Sequence, residues 1–136
     1  MLLPTLLKFT RKRGEVREAD EMPIYKMYVE KEDRQNGGAY LKSLRETAGI
    51  AIRDVADALR LNRVYLYSIE RGDAPLRPEY LPKVASLYGV DLAEMSKRYL
   101  RYRDPLIYAF IFGDEGDPGL REMRQEFVEG EKSNRL

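Results

Sequence analysis

The sequence predicts a mainly α protein, with five short helices packed as one cluster over residues 39–100, an N-terminal extension (1–38) and a helical C-terminal extension (101–136). Three observations lead there. The first is helical spacing between Tyr40 and Tyr99: Leu41, Leu44 and Ala48 fall at i, i+3, i+7, Ile52, Val55, Ala56 and Leu59 at i, i+3, i+4, i+7, and Leu81, Val84, Ala85 and Tyr88 repeat the latter pattern. The second is punctuation: Gly49, Leu61-Asn62, the Gly72–Pro78 stretch and Gly89 supply stops, while Asn62 and Asp91 are good N-caps for the helices that follow. The third is size, since 136 residues suit one principal core with appendages better than two separate ones.

In the N-terminal extension, Ile24 to Val29 is rich in β-formers and could pair with Leu6 to Thr10 across Gly14, which predicts a β-hairpin. The polar run Glu30 to Asn36 and the pair Gly37-Gly38 then read as a linker. Lys8, Arg11, Lys12 and Arg13 around Phe9 fit either a frayed charged end, the favoured reading, or an arm following nucleic acid. Beyond Arg103 two similar units follow, Asp104-Pro105 to Gly113 and Asp117-Pro118 to Gly130, each with an Asp cap, Pro at the first helical position and Gly at the end. The first of these, Leu106 to Phe112, is apolar all round, so helix and buried strand both fit, with helix favoured. Such a run needs cover, and a subunit interface is one source of it.

Composition narrows the chemistry. There is no Cys and no His, which removes disulfides, thiolate nucleophiles and imidazole base or zinc chemistry. Asp54, Asp57 and Glu70 have no glycine-rich phosphate loop or metal-ligand spacing around them and read as helix-surface acids, so neither an enzyme nor a cofactor or metal site is expected. The opening residues MLLPTLLKFTRKR place the apolar stretch before the basic one, the reverse of a secretory signal, and no apolar run approaches the ~20 residues that span a bilayer. The expectation is a cytoplasmic protein without membrane contact. With 24 Lys+Arg against 23 Asp+Glu, a nucleic-acid reading must rest on local charge placement.

Residues Leu44 to Gly72, LRETAGIAIRDVADALRLNRVYLYSIERG, continued by Pro78 to Val90, PEYLPKVASLYGV, closely resemble the Cro/CI-type (XRE) helix-turn-helix family of regulators. The resemblance implies a five-helix, lambda-repressor-like DNA-binding domain. It also implies a sequence-specific transcriptional regulator, usually a repressor, that binds double-stranded DNA as a homodimer. Val55 and Leu59 are then set to meet Leu66 and Ile69, turning Val64, Tyr67, Ser68 and Arg71 outward with Arg63 at the N-terminal edge. By resemblance, Arg63, Val64, Tyr67 and Ser68 are the base-contact positions. Arg53, Arg60, Arg71 and Arg77 are candidate phosphate contacts, and Asn62 caps the helix and brings its N–H groups toward a phosphate. Arg45 and Glu70 match an ion pair tying the first helix to the third.

Three departures stand beside the resemblance. Ala51 and Ile52 occupy places where the family often has phosphate-gripping polar residues, Arg60 stands where Gly is frequent in the turn, and Val64 is apolar on the outward face. They support a rival expectation: a protein-interaction adaptor that keeps this scaffold. It would engage the transcription machinery or a toxin through the N-terminal extension, the Leu106–Phe112 run and the acidic end formed by Glu122, Glu126, Glu129 and Glu131.

Overall fold

The computed structural model describes residues 24–113 and 118–134. After a short helical stretch at 24–28 the chain forms α1 (Lys31–Ala48), α2 (Ile52–Leu59), α3 (Arg63–Arg71), a 3-10 turn (Pro78–Tyr80), α4 (Leu81–Tyr88), α5 (Leu92–Arg103), α6 (Pro105–Phe112) and α7 (Pro118–Asn134). The first five helices are those expected from the apolar spacing, and their inward residues form one core that includes Leu41, Val55, Ala56, Leu59, Leu66, Ile69, Val84, Ala85, Met95 and Tyr99. α1 packs on α3 and on α5, α2 on α3, and α4 on α5 and α1. Of the five connections from α1 to α6, four start with a left-handed residue, Gly49, Arg60, Gly72 or Gly89, and the fifth is the capping Asp104.

The expected linker is instead the middle of a helix. α1 runs unbroken through Gly37-Gly38, and both glycines are buried. A Cβ placed on Gly38 would lie 2.6 Å from the Ile69 carbonyl oxygen and closer still to that of Glu70. Only a residue without a side chain lets α1 settle against the backbone of α3, so the pair marks close helix contact rather than a hinge. The same contact recurs one turn on, where Gly72, at φ 87°, lies against the Arg34 backbone.

The described part of the expected hairpin is also different. Residues 24–28 are helical, and among the described residues there is no strand; Leu6 to Thr10 lies outside them. The apolar positions Tyr25 and Val29 are four apart and both buried, so one helical face docks against the core. Tyr25 is hydrogen-bonded to Tyr99, whose hydroxyl also accepts the Leu76 N–H at 2.8 Å. Arg34 donates to the carbonyls of Val29 and Gly72, each at 3.0 Å, and Lys26 pairs with Asp73 at 3.4 Å. The segment before α1 is thus fastened to the end of α3.

The C-terminal extension begins as expected: Asp104 caps α6 by accepting the Ile107 N–H at 3.2 Å, and the apolar run is a helix. α7, however, continues past Gly130 to Asn134. Among the described residues nothing lies within 4 Å of a Cβ placed on Gly130, so the glycine sits in an open stretch of the helix.

Two outcomes test this account. Gly38→Ala improves intrinsic helix propensity by about 1 kcal/mol yet forces backbone apart, so urea unfolding should show a net loss of about 2 kcal/mol, whereas Gly130→Ala should raise helicity and stability slightly. Burial, aided by the neighbouring Glu70 charge, pushes the Tyr88 hydroxyl up to about 12, and burial raises Tyr25 and Tyr99 as well. In the unfolded chain these groups titrate near 10, so above that the unfolded state binds fewer protons and stability falls as pH rises from about 10 to 12. Melting temperatures across that range should drop steeply, and less so in Tyr88→Phe.

Candidate nucleic-acid interface

The α2–α3 unit is built by a tight reversal. α2 ends with the Leu61 N–H on the Ala56 carbonyl at 2.9 Å and the Arg60 N–H on Asp57 at 3.3 Å. Arg60 itself is left-handed at φ 57°, the one non-glycine residue with positive φ among those described, which costs about 1–2 kcal/mol. Of the two arrangements open to an arginine here, the strained one is adopted. Asn62 then caps α3, its side chain accepting the Val64 N–H at 2.7 Å and leaving the helix N-terminus facing solvent.

Two partners set the roll of α3. Leu66 and Ile69 enter the core with Val55 and Leu59, as the spacing predicted, and Tyr65 is buried with them. At the far end Glu70 accepts from Arg45 of α1 at 2.7 and 2.9 Å, and Arg45 also donates to the Ile50 carbonyl at 3.0 Å. Both side chains are nearly buried, and the Glu70 hydrogen bonds raise the Arg45 pKa above its ordinary value. The fork geometry holds the guanidinium and the carboxylate in one plane, which a lysine could not do.

The face left outward carries Arg63, Val64, Tyr67 and Arg71. Val64 is 63% exposed and Tyr67 47%, large values for side chains of this kind. Arg63, Tyr67 and Arg71 follow one another at four-residue intervals, so they form a single ridge. Arg60 and Asn62 flank its N-terminal end and are exposed as well.

Ser68 is not on that ridge. It is 4% exposed, its hydroxyl donates to the Val64 carbonyl at 3.1 Å, and the Ser68 Oγ in turn accepts from Arg71 at 3.3 Å. The helical wheel placed it outward because it counts only helix neighbours. After Gly72 the chain folds back, and the Asp73 and Ala74 N–H groups bond to the Ser68 main-chain carbonyl at 2.9 and 3.3 Å.

The candidate phosphate ligands differ in how available they are. Arg53 is 70% exposed on the first turn of α2, with Asp54 only at the 4.0 Å limit of an ion pair. Ala51 and Ile52 supply no polar side chain there, and α2 has no side-chain cap. Arg71 is held by Asp73 at 3.2 Å, and Arg77 by Glu79 at 2.8 Å. Partial burial pushes the Asp73 carboxyl up, but Arg71 and Lys26 outweigh it and keep the group below the usual carboxylate value. Sequence reasoning missed Lys26 and Arg34, which brace this corner from a segment read as separate. The signal was present in the apolar four-residue step Tyr25 to Val29 and in the glycines of α1 and the α3 terminus.

The match to known proteins follows this geometry. Residues 38–97 match a family model described as a helix-turn-helix domain, beginning at the glycine that touches α3 and ending within α5. No curated protein matches the chain. The five-helix core, the capped and outward-facing third helix and this match together identify residues 38–97 as a helix-turn-helix domain, consistent with the Cro/CI-type family that the sequence resembles.

Proposed function

We propose that this protein is a sequence-specific, DNA-binding transcriptional regulator. It acts as a homodimeric repressor in the cytoplasm, has no enzymatic activity, and reads the major groove with α3. The observation that carries the reading is the α3 ridge: a capped helix N-terminus continues into exposed Arg63, Val64 and Tyr67, while the opposite face is fixed by the core and by the Arg45–Glu70 pair. An arginine at the first helical position can address guanine O6 and N7, and a valine can touch a thymine methyl. Arg53 and Arg60 beside the ridge, and Arg71 at its C-terminal end, supply positive charge for phosphates. Ser68, being covered, leaves the set of base contacts and serves the shape of the α3 terminus.

A second reading has specific support. The exposed apolar pair Val64 and Tyr67, and the acids beside Arg53, Arg71 and Arg77, also suit a protein partner such as the transcription machinery or a toxin. The two readings differ in their response to salt. Ion pairs on the protein surface are weak, about 0–1 kcal/mol, so phosphates can recruit these arginines at little cost.

Selection of duplexes from a randomised pool at several salt concentrations should enrich a palindrome with half-sites about one helical turn apart, its affinity falling with a log–log slope of roughly −0.9 per phosphate neutralised. No enrichment at low salt transfers the assignment to the adaptor. Arg63→Ala should relax the preference at one base pair per half-site, by about 1–3 kcal/mol, and an unchanged preference there removes Arg63 from the readout. Ser68→Ala should leave the base preference as it is, whatever it does to stability.

A further inference from the structure

Among the described residues, an apolar surface that the domain leaves unused lies on α6 and α7. α6 contains no charged residue in its eight, in a chain that is 35% charged, and only its Ala109 is buried. Ile107, Phe110 and Ile111 are 45%, 37% and 60% exposed. α7 packs alongside, Phe127 meeting Phe110 edge-on at 5.5 Å between ring centres, and it adds Met123, Phe127 and Val128 to the exposed set. Exposed Arg121, Glu122, Glu126 and Glu129 border these residues on α7.

Six large side chains on two adjacent helices leave roughly 500 Å² of apolar surface in water, toward the upper end of the largest patch found on lone soluble proteins. We propose that a second copy of this chain covers it, in a two-fold contact of α6 and α7 with their counterparts. A two-fold contact needs a surface that complements itself, and an apolar patch centred on the uncharged α6 does so, with the charges of α7, Arg121 among its glutamates, left to the rim. Two such patches together remove roughly 1,000 Å² from water, the threshold of a specific interface, before the polar rim is added.

The position of the patch agrees with this occupant. α6 packs on α5, α5 on α1 and α1 on α3, so a contact through α6 and α7 lies two helices removed from the ridge and leaves both copies of it free. The inference deepens the homodimeric reading above and rests on it for the choice of partner.

Sedimentation equilibrium of the full chain up to about 100 µM tests it, since a dimer's apparent mass depends on concentration. The wild-type protein should reach twice 15.9 kDa. Ile111→Glu and Val128→Glu, both at exposed positions, should each weaken the dimer by about tenfold or more while the helical circular dichroism is retained. Val64→Glu on the ridge should leave the dimer intact. A wild-type monomer throughout, or dimers in both α6 and α7 variants as tight as the wild type, overturns the proposal and leaves the face to another protein or to lipid. Loss of the dimer in Val64→Glu alone also overturns it, by placing the contact on α3. Mass is read without DNA, so a dimer that selects no DNA site keeps this contact and loses the regulator, whereas a monomer that selects one does the reverse.

Discussion

The arrangement of this domain depends on how closely α1 can approach α3. Backbone meets backbone at Gly38, where the Ile69 and Glu70 carbonyls occupy the space a side chain would fill, and again at Gly72 against Arg34. The Arg45–Glu70 pair closes the same interface with two short hydrogen bonds in a nearly dry setting. A helix held by close contact along one side cannot roll, so the residues on its other side face solvent in a defined order. Removing one member of such a pair leaves the other charge without its partner in a mostly covered position, and this makes the pair a determinant of α3 orientation.

That constraint reaches into the segment before α1. Because α1 lies so close to the end of α3, Arg34 can donate to the Gly72 carbonyl, and Lys26 can pair with Asp73, which already holds Arg71. Tyr25 and Tyr99 join the same segment to α5 and, through the Leu76 N–H, to the loop after α3. That loop also returns onto the main chain of Ser68, whose carbonyl accepts the Asp73 and Ala74 N–H groups. The C-terminal edge of the ridge is therefore shaped by four separate stretches of chain, while its N-terminal edge, with Arg60, Asn62, Arg63 and Val64, is set by local capping and the α2–α3 turn alone.

The exposed surface divides into two chemistries. The ridge on α3 mixes arginines with Val64 and Tyr67, and acids stand beside several of the arginines, so its field is modest and its contacts must be made at short range. α6 offers instead an uncharged apolar area, which Met123, Phe127 and Val128 of the charged α7 extend. A net charge of +1 averages over these two surfaces and describes neither.

Much of this was legible in the residues. The five helices, the caps at Asn62, Asp91 and Asp104, the left-handed turn option at Arg60 and the inward positions Val55, Leu59, Leu66 and Ile69 all follow from interactions within about one helical turn, which order in the sequence records directly. The roles of Gly37-Gly38, the helical docking of 24–28, the burial of Ser68 and the continuation of α7 through Gly130 did not follow. A glycine pair after a polar run has the same local preferences whether it bends freely or lies under a neighbouring helix, and a serine on a helical wheel has no record of whether the tertiary fold buries it. The sequence by itself determined where helices start, stop and turn their apolar faces. Only the tertiary structure decided which of those faces water still reaches, because that depends on groups brought together from distant parts of the chain.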